Sequence, residues 1–134
     1  MQIITFTMKE QYYAFETDVV DEIIKMTNYI HIPQAPHWVE GLINLRGDVV
    51  TLVNLAKLLD LSEEIVYDNI IIIKNQDRKL AILVQRIDGV MDVEKAAIQQ
   101  LSAGKDLKVA GLIPLADKIV NLLQSTTIFL ENEG

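Results

Sequence analysis

Catalysis needs nucleophiles, acids and bases or metal ligands held close together, and this chain is poor in such sets. It has no cysteine, so thiolate nucleophiles, thiolate metal sites and disulfides are all excluded. Its two histidines, His31 and His37, flank Pro33 and Pro36. A spacing of i and i+6 through a proline-rich loop lacks the geometry of a shared helical metal face. Asp60, Glu63, Glu64 and Asp68 make an acidic patch without the ordered ligand spacing of a calcium loop. Ser62, Ser102 and Ser125 have no histidine beside them, and there is no phosphate-cradling glycine loop or serine elbow. These residues predict no catalytic group, no metal and no cofactor. The expectation is a binding module, not an enzyme.

One charged residue resists a bland reading. The stretch GLINLRGDVVTLVNL runs from Gly41 to Leu55, and eight of its fifteen residues are Leu, Ile or Val. Arg46 sits in its middle, beside Gly47 and Asp48. Arginine is rarely buried unless paired, so a partner carboxylate or an exposed turn is expected. Trp38, after two prolines, is either a cap on the core or an exposed anchor for a partner protein. The net charge of −7 argues against nucleic acid and against direct docking on anionic lipid. The N-terminal MQIITFTMKE has no basic leader, and the longest pure aliphatic run is Ile70–Ile73, far short of a membrane span. A cytoplasmic protein is expected.

The elements that must position Arg46 are short. Ile3–Thr7 and Tyr12–Glu16 read as a hairpin around Met8–Gln11. Ile70–Ile73 and Leu80–Val84 read as a second, around Lys74–Lys79, with strands covered on both faces. Val19, Val20, Ile23, Ile24 and Met26 fit one short helix with Asp18 as its N-cap, although the β-branched residues there also suit a strand. Pro33 and Pro36 predict an extended connection over Ile32–His37. Gly41–Leu45 and Val49–Val53 make a third hairpin with Arg46-Gly47-Asp48 at its turn. Leu55, Leu58, Leu59 and Leu61 have helical spacing. Gly111–Leu115, Ile119–Leu123 and a helix around Thr126–Glu131 close the chain.

These elements occur twice. Shifting by 67 places Ile4 on Ile71, Phe6 on Ile73, Ala14 on Ala81, Asp21 on Asp88 and Ile23 on Val90. Shifting by 70 places Gly41 on Gly111, Leu45 on Leu115 and Val50 on Val120. One domain over 1–134 with two similar halves, about 1–67 and 68–134, follows. Two small barrels, free to exchange strands, are expected; a single six-to-eight-stranded barrel is the rival architecture. The repeat also questions Arg46. It falls on Ala116, and Glu22 falls on Gly89. Both charges become small neutral residues together, so the two are expected to be partners.

The chain resembles the CheW family of chemotaxis coupling proteins over nearly all its length. The pattern V-x-E-I stands as Val20-Asp21-Glu22-Ile23, and P-x-x-P-x-hydrophobic-x-x-G as Pro33, Pro36, Trp38 or Val39, and Gly41. The signature N-L-R-G is intact as Asn44-Leu45-Arg46-Gly47, and Ile87–Val93 gives I-D-G-V-x-D-V. Thr51 and Asn54 stand where the family often has proline and aspartate. The resemblance implies a mainly β fold of two five-stranded SH3-like β-barrels in pseudo-twofold relation, with a few short helices. It implies a non-catalytic adapter that joins methyl-accepting chemoreceptors to the histidine kinase CheA, beneath the inner membrane. It further implies a receptor groove involving Val20, Glu22, Ile23 and Arg46. A kinase or partner surface near Trp38, Asn44 and Gly47 is also implied. An adapter of a related pathway for pili or other motility, or the adapter portion of a larger scaffold, are the alternatives.

Overall fold

The computed structural model describes residues 1–61, 66–101 and 108–132. Eleven strands dominate the described residues. The first half supplies β1 (Gln2–Met8), β2 (Gln11–Glu16), β3 (Val20–Lys25), β4 (Val39–Leu45) and β5 (Asp48–Asn54), then a short helix α1 (Leu55–Leu58). The second supplies β6 (Asn69–Asn75), β7 (Arg78–Val84), β8 (Arg86–Asp92), β9 (Gln99–Gln100), β10 (Val109–Pro114) and β11 (Ile119–Leu123), then α2 (Ser125–Glu131).

The strands form two sheets, and the halves interleave. One sheet runs β8-β1-β2-β11-β10-β9, the other β3-β6-β7-β5-β4. The opening hairpin of each half therefore lies in the sheet built mostly by the other half. Each opening hairpin pairs with the other half on both sides, antiparallel through β1–β8 and β3–β6, and parallel with Leu52 opposite Ala81 and Leu122 opposite Ala14. These correspond under the two sequence shifts, so the repeat extends to hydrogen-bond register. The rival single barrel is excluded by this arrangement.

The alternation of side chains across each strand builds three cores. Phe6, Phe15, Val53, Ile71, Ile73, Ile82 and Phe129 belong to a core shared between the sheets. Ile43, Leu52, Ile70, Ile72 and Ala81 fill the inside of the five-stranded sheet. Ile3, Ala14, Ile113, Val120 and Leu122 fill the inside of the six-stranded one. The run Ile70–Ile73 is buried throughout because odd and even positions face different cores.

Two local expectations are corrected. Residues 19–26 do not form a helix. Only Thr17–Val19 makes a 3-10 turn, Asp18 caps nothing, and Val20–Lys25 is the edge strand β3, paired antiparallel with β6. Valine and isoleucine suit the pleated surface, and ladder pairing with β6 outweighs the helical spacing. The connection over Ile32–His37 is not extended throughout. Turns form at Pro33-Gln34 and His37-Trp38, with Gln34 at φ 64°. The predicted leucine helix shortens to α1, and Leu59 and Leu61 still pack on the shared core.

Four strands carry a β-bulge, and in β3, β8 and β10 the bulge takes the strand from one core to another. In β3, Val20 opposes Ile73 and Glu22 opposes Ile72, which leaves Asp21 extra. Val20 then packs on the shared core, while Ile24, four residues on, packs inside the five-stranded sheet. In an unbroken strand, residues four apart share a face, so the extra residue makes the switch. β8 repeats this at Asp88, with Ile87 on the shared core and Met91 inside the six-stranded sheet. β4 and β10 bulge likewise at Glu40 and Ala110.

Candidate functional site

The turn carrying Arg46 is a two-residue hairpin loop. Leu45 and Asp48 are the last paired residues, and Arg46 and Gly47 both take positive φ, 50° and 90°. Positive φ at both central positions is the hairpin turn that matches strand twist, and glycine favours its second position. The Gly47 amide donates to Asn44 Oδ1 at 2.9 Å, which latches the turn. Leu45 plugs the inside of the sheet. In Asn44-Leu45-Arg46-Gly47, three residues thus shape the hairpin end, and Arg46 is left to carry the charge.

The charge is used across the sheet. Arg46 Nη1 donates to Glu22 Oε1 at 2.9 Å, and Nη2 donates to Oε2, a two-pronged grip. This is the fork geometry that distinguishes arginine from lysine. Glu22 lies on β3 and Arg46 beyond β4, the two ends of the five-strand order. In a flat sheet those strands would be about 19 Å apart, at ~4.8 Å per strand. The contact exists because the sheet rolls around its own core. Nearby, Ile30 exchanges backbone hydrogen bonds of 2.8 Å with Leu42, joining the segment after β3 to β4.

The pair sits at the surface, with side chains 64% exposed for Arg46 and 25% for Glu22. The Arg46 hydrogen bond is the main cause holding the Glu22 carboxyl below its usual range, against the opposing effect of partial burial. The same bond raises Arg46. Beside them, Asp21 is lowered chiefly by its hydrogen bond with Lys79. The second half has Gly89 and Ala116 at the matching positions and no counterpart to the pair.

The other residues expected at binding surfaces take distinct places. Val20 is half-buried against the shared core, and Ile23 is 38% exposed. By register with Ile73 and Ile71 they share one side of the sheet. Trp38 is half-buried, packs on the shared core and donates through Nε1 to Asn132 Oδ1 at 3.1 Å, linking the first half to the end of α2. Asn44 and Gly47 lie exposed at the turn. The fold brings Glu22 and Arg46 together; Trp38 stands apart from them, tied to α2.

Two features have no clear mark in the sequence. A hollow of about 600 Å³ opens where the end of β3 meets the start of β8, lined by Lys25, Met26, Asp68, Asn69, Arg86 and Ile87. Only the repeat hints at it, since β3 and β8 are equivalent strands. The second is a network at Asn54. This buried side chain donates to Glu40 at 2.7 Å and accepts from the Lys57 amide and the Tyr67 hydroxyl, capping α1. An aspartate there would confront Glu40 with a second carboxylate; the amide avoids that. Among the described residues no group of three His, Cys, Asp or Glu could hold a metal. His37 packs edge-on against Trp38, and Ser125 opens α2. Ser62, Glu63, Glu64 and Ser102 lie outside the described residues. No helix among those described is long and apolar enough to cross a membrane.

Known proteins share both the sequence pattern and the fold. Residues 2–132 match the family profile described as CheW-like domain. The chain is 29% identical over 133 residues to the chemotaxis protein CheW of Thermotoga maritima, covering 97% of this chain and 88% of that one. It is 33% identical over 104 residues to the chemotaxis protein CheW of Treponema pallidum, covering 73% and 61% respectively. In three dimensions it resembles the scaffolding protein TtCheW from Thermoanaerobacter tengcongensis, with TM-score 0.83, 23% identity, and coverage of 92% of this chain and 83% of that chain. That likeness extends to the mainly β, two-sheet fold.

Proposed function

We propose that this chain, which belongs to the CheW-like domain family, is a non-catalytic adapter of bacterial chemotaxis that couples methyl-accepting chemoreceptors to the histidine kinase CheA. The observation that carries the reading is the exposed, two-pronged Glu22–Arg46 contact, formed by the V-x-E-I and N-L-R-G residues. An exposed ion pair does little for folding. What it does do is fix the edge strand β3 against the Arg46 turn, with Glu22 and Arg46 on one face of the strand and Val20 and Ile23 on the other, so that a receptor meets them along β3.

An adapter makes and breaks no bonds. It holds receptor and kinase so that a change in receptor packing biases the kinase between states, and coupling of about 1–3 kcal/mol suffices. A receptor tip built as a helical hairpin suits a groove with apolar and charged walls. The hollow at the end of β3, with Met26 and Ile87 beside Lys25, Asp68 and Arg86, lies next to that surface but is lined by none of Val20, Glu22, Ile23 and Arg46. It is more polar-rimmed than a purely apolar groove. The kinase or partner surface is read at Asn44 and Gly47, which share the turn with Arg46 and so border the receptor surface, while Trp38 braces the fold through Asn132. Such an adapter works in the cytoplasm, against receptor arrays at the inner membrane face.

The test is co-sedimentation with receptor-bearing membranes, with and without CheA. The chain should pellet with receptors, and CheA should pellet more fully when the chain is added. A chain that stays in the supernatant under both conditions overturns the proposal.

A further inference from the structure

Three of the four bulges carry a carboxylate at the extra residue, and each carboxylate is gripped. Glu40 accepts from Asn54 at 2.7 Å, with Lys57 at 3.5 Å. Asp88 accepts from the Thr7 hydroxyl at 2.6 Å and from Arg86 Nε at 3.1 Å. Asp21 meets Lys79 at 3.0 Å and Lys74 at 4.0 Å. Thr7 and Lys74 are equivalent residues of the repeat, so one arm of the clasp on Asp21 and one arm of that on Asp88 come from the same place in the fold.

The bulge at Asp21 decides where Glu22 points. Without it, β3 would keep simple alternation from Val20, and Glu22 would stay on Val20's side, toward the shared core. With it, Glu22 pairs with Ile72 and lies on the side of Ile24, whose core also holds Leu45, the residue before Arg46. The clasp also relieves a strain of its own. Lys74 and Lys79 are directly paired across β6 and β7, where like charges repel. Asp21 lies between them.

We infer that Asp21 is a positioning residue: clasped by Lys79 and Lys74, it pins the β3 bulge that turns Glu22 toward Arg46. The inference rests on the reading of Glu22–Arg46 as the functional contact. It adds the residue that aims it.

The Glu22 carboxyl reports on this directly, by NMR titration of its side-chain carbon. Two explanations of an Asp21→Ala variant differ in sign. Asp21 is a like charge beside Glu22 and raises its pKa. If that were its whole effect, Asp21→Ala would lower the Glu22 midpoint further. If Asp21 aims Glu22, the variant loosens the Arg46 grip, and the midpoint rises toward the ordinary carboxylate range. Lys79→Ala raises the midpoint on either explanation, because the Lys79 charge itself lowers it, so Asp21→Ala is the deciding variant. A Glu22 midpoint unchanged or lowered in Asp21→Ala overturns the inference. The titration needs neither receptor nor kinase, so its failure is separate from failure of the adapter reading, which co-sedimentation decides.

Discussion

Gly41→Ala should detach the Tyr29–Ile30 segment from β4 while leaving the rest of the fold standing. A Cβ at Gly41 would overlap the Ile30 carbonyl oxygen and lie 2.8 Å from its carbon and 3.0 Å from Tyr29 Cδ2. Two of these atoms are backbone, so no side-chain rotation relieves the clash. The segment must retreat, and the reciprocal Ile30–Leu42 hydrogen bonds of 2.8 Å go with it. At about 0.5–1.5 kcal/mol for each bond, the loss is ~1–3 kcal/mol. Ile30 is 73% exposed, so lost apolar burial adds little. The equivalent Gly111→Ala is the control. Its Cβ would meet the Ile98 Cγ2 at 2.8 Å, a side-chain atom that can move, and the Gln99 oxygen at 2.9 Å. It should cost less. Denaturant unfolding of both variants, with amide exchange at Ile30 and Leu42, reads the difference. Equal losses in the two variants, or protected amides at Ile30 and Leu42 in Gly41→Ala, would refute the reasoning.

Ile71→Ala, fully buried in the shared core, should cost about 2–5 kcal/mol by denaturant titration. Ile23→Ala, at a side chain already 38% exposed, should stay within ~0.5 kcal/mol. Ile23→Asp should fold and yet weaken co-sedimentation with receptor membranes, whereas Val20→Asp, half-buried on the shared core, should lower the melting temperature as well. Glu22 and Asp21 are both held below their ordinary values, so the stability they lend is present above the unfolded carboxylate pKa. It is lost as pH falls through the lowered folded values, and Glu22→Gln should flatten that acid limb in a melting-temperature profile.

Much of this was legible in the sequence because the chain states it twice. The matches of Ala14 with Ala81 and Val50 with Val120 reappear as equivalent core positions. The partnership of Glu22 with Arg46 was readable because Gly89 and Ala116 lack both charges at once. The helix expected over residues 19–26 failed because spacing alone does not reveal the β6 strand waiting to pair. The bulges were hidden for a related reason. An inserted residue changes register, and register is visible only once the partner strand is known; Asp21 looked like any surface acid. The parallel pairing of β5 with β7 left no local mark at all, since its strands are joined through residues far apart in the chain. The hollow at Lys25 and Arg86 arises where β3 and β8 approach, and neither strand alone encodes it.

The most direct test of the adapter role is receptor-controlled kinase activity in a reconstituted mixture of receptor membranes, CheA and this chain. Glu22→Ala, Arg46→Ala and the double variant are compared with the parent, each checked for an unchanged fold. If the pair acts as one unit, each single substitution should reduce receptor control by at least about fivefold, and the double should be little worse than either. Strictly additive losses would contradict the pairing, and full receptor control in the double variant would contradict the placement of the functional surface at Glu22 and Arg46.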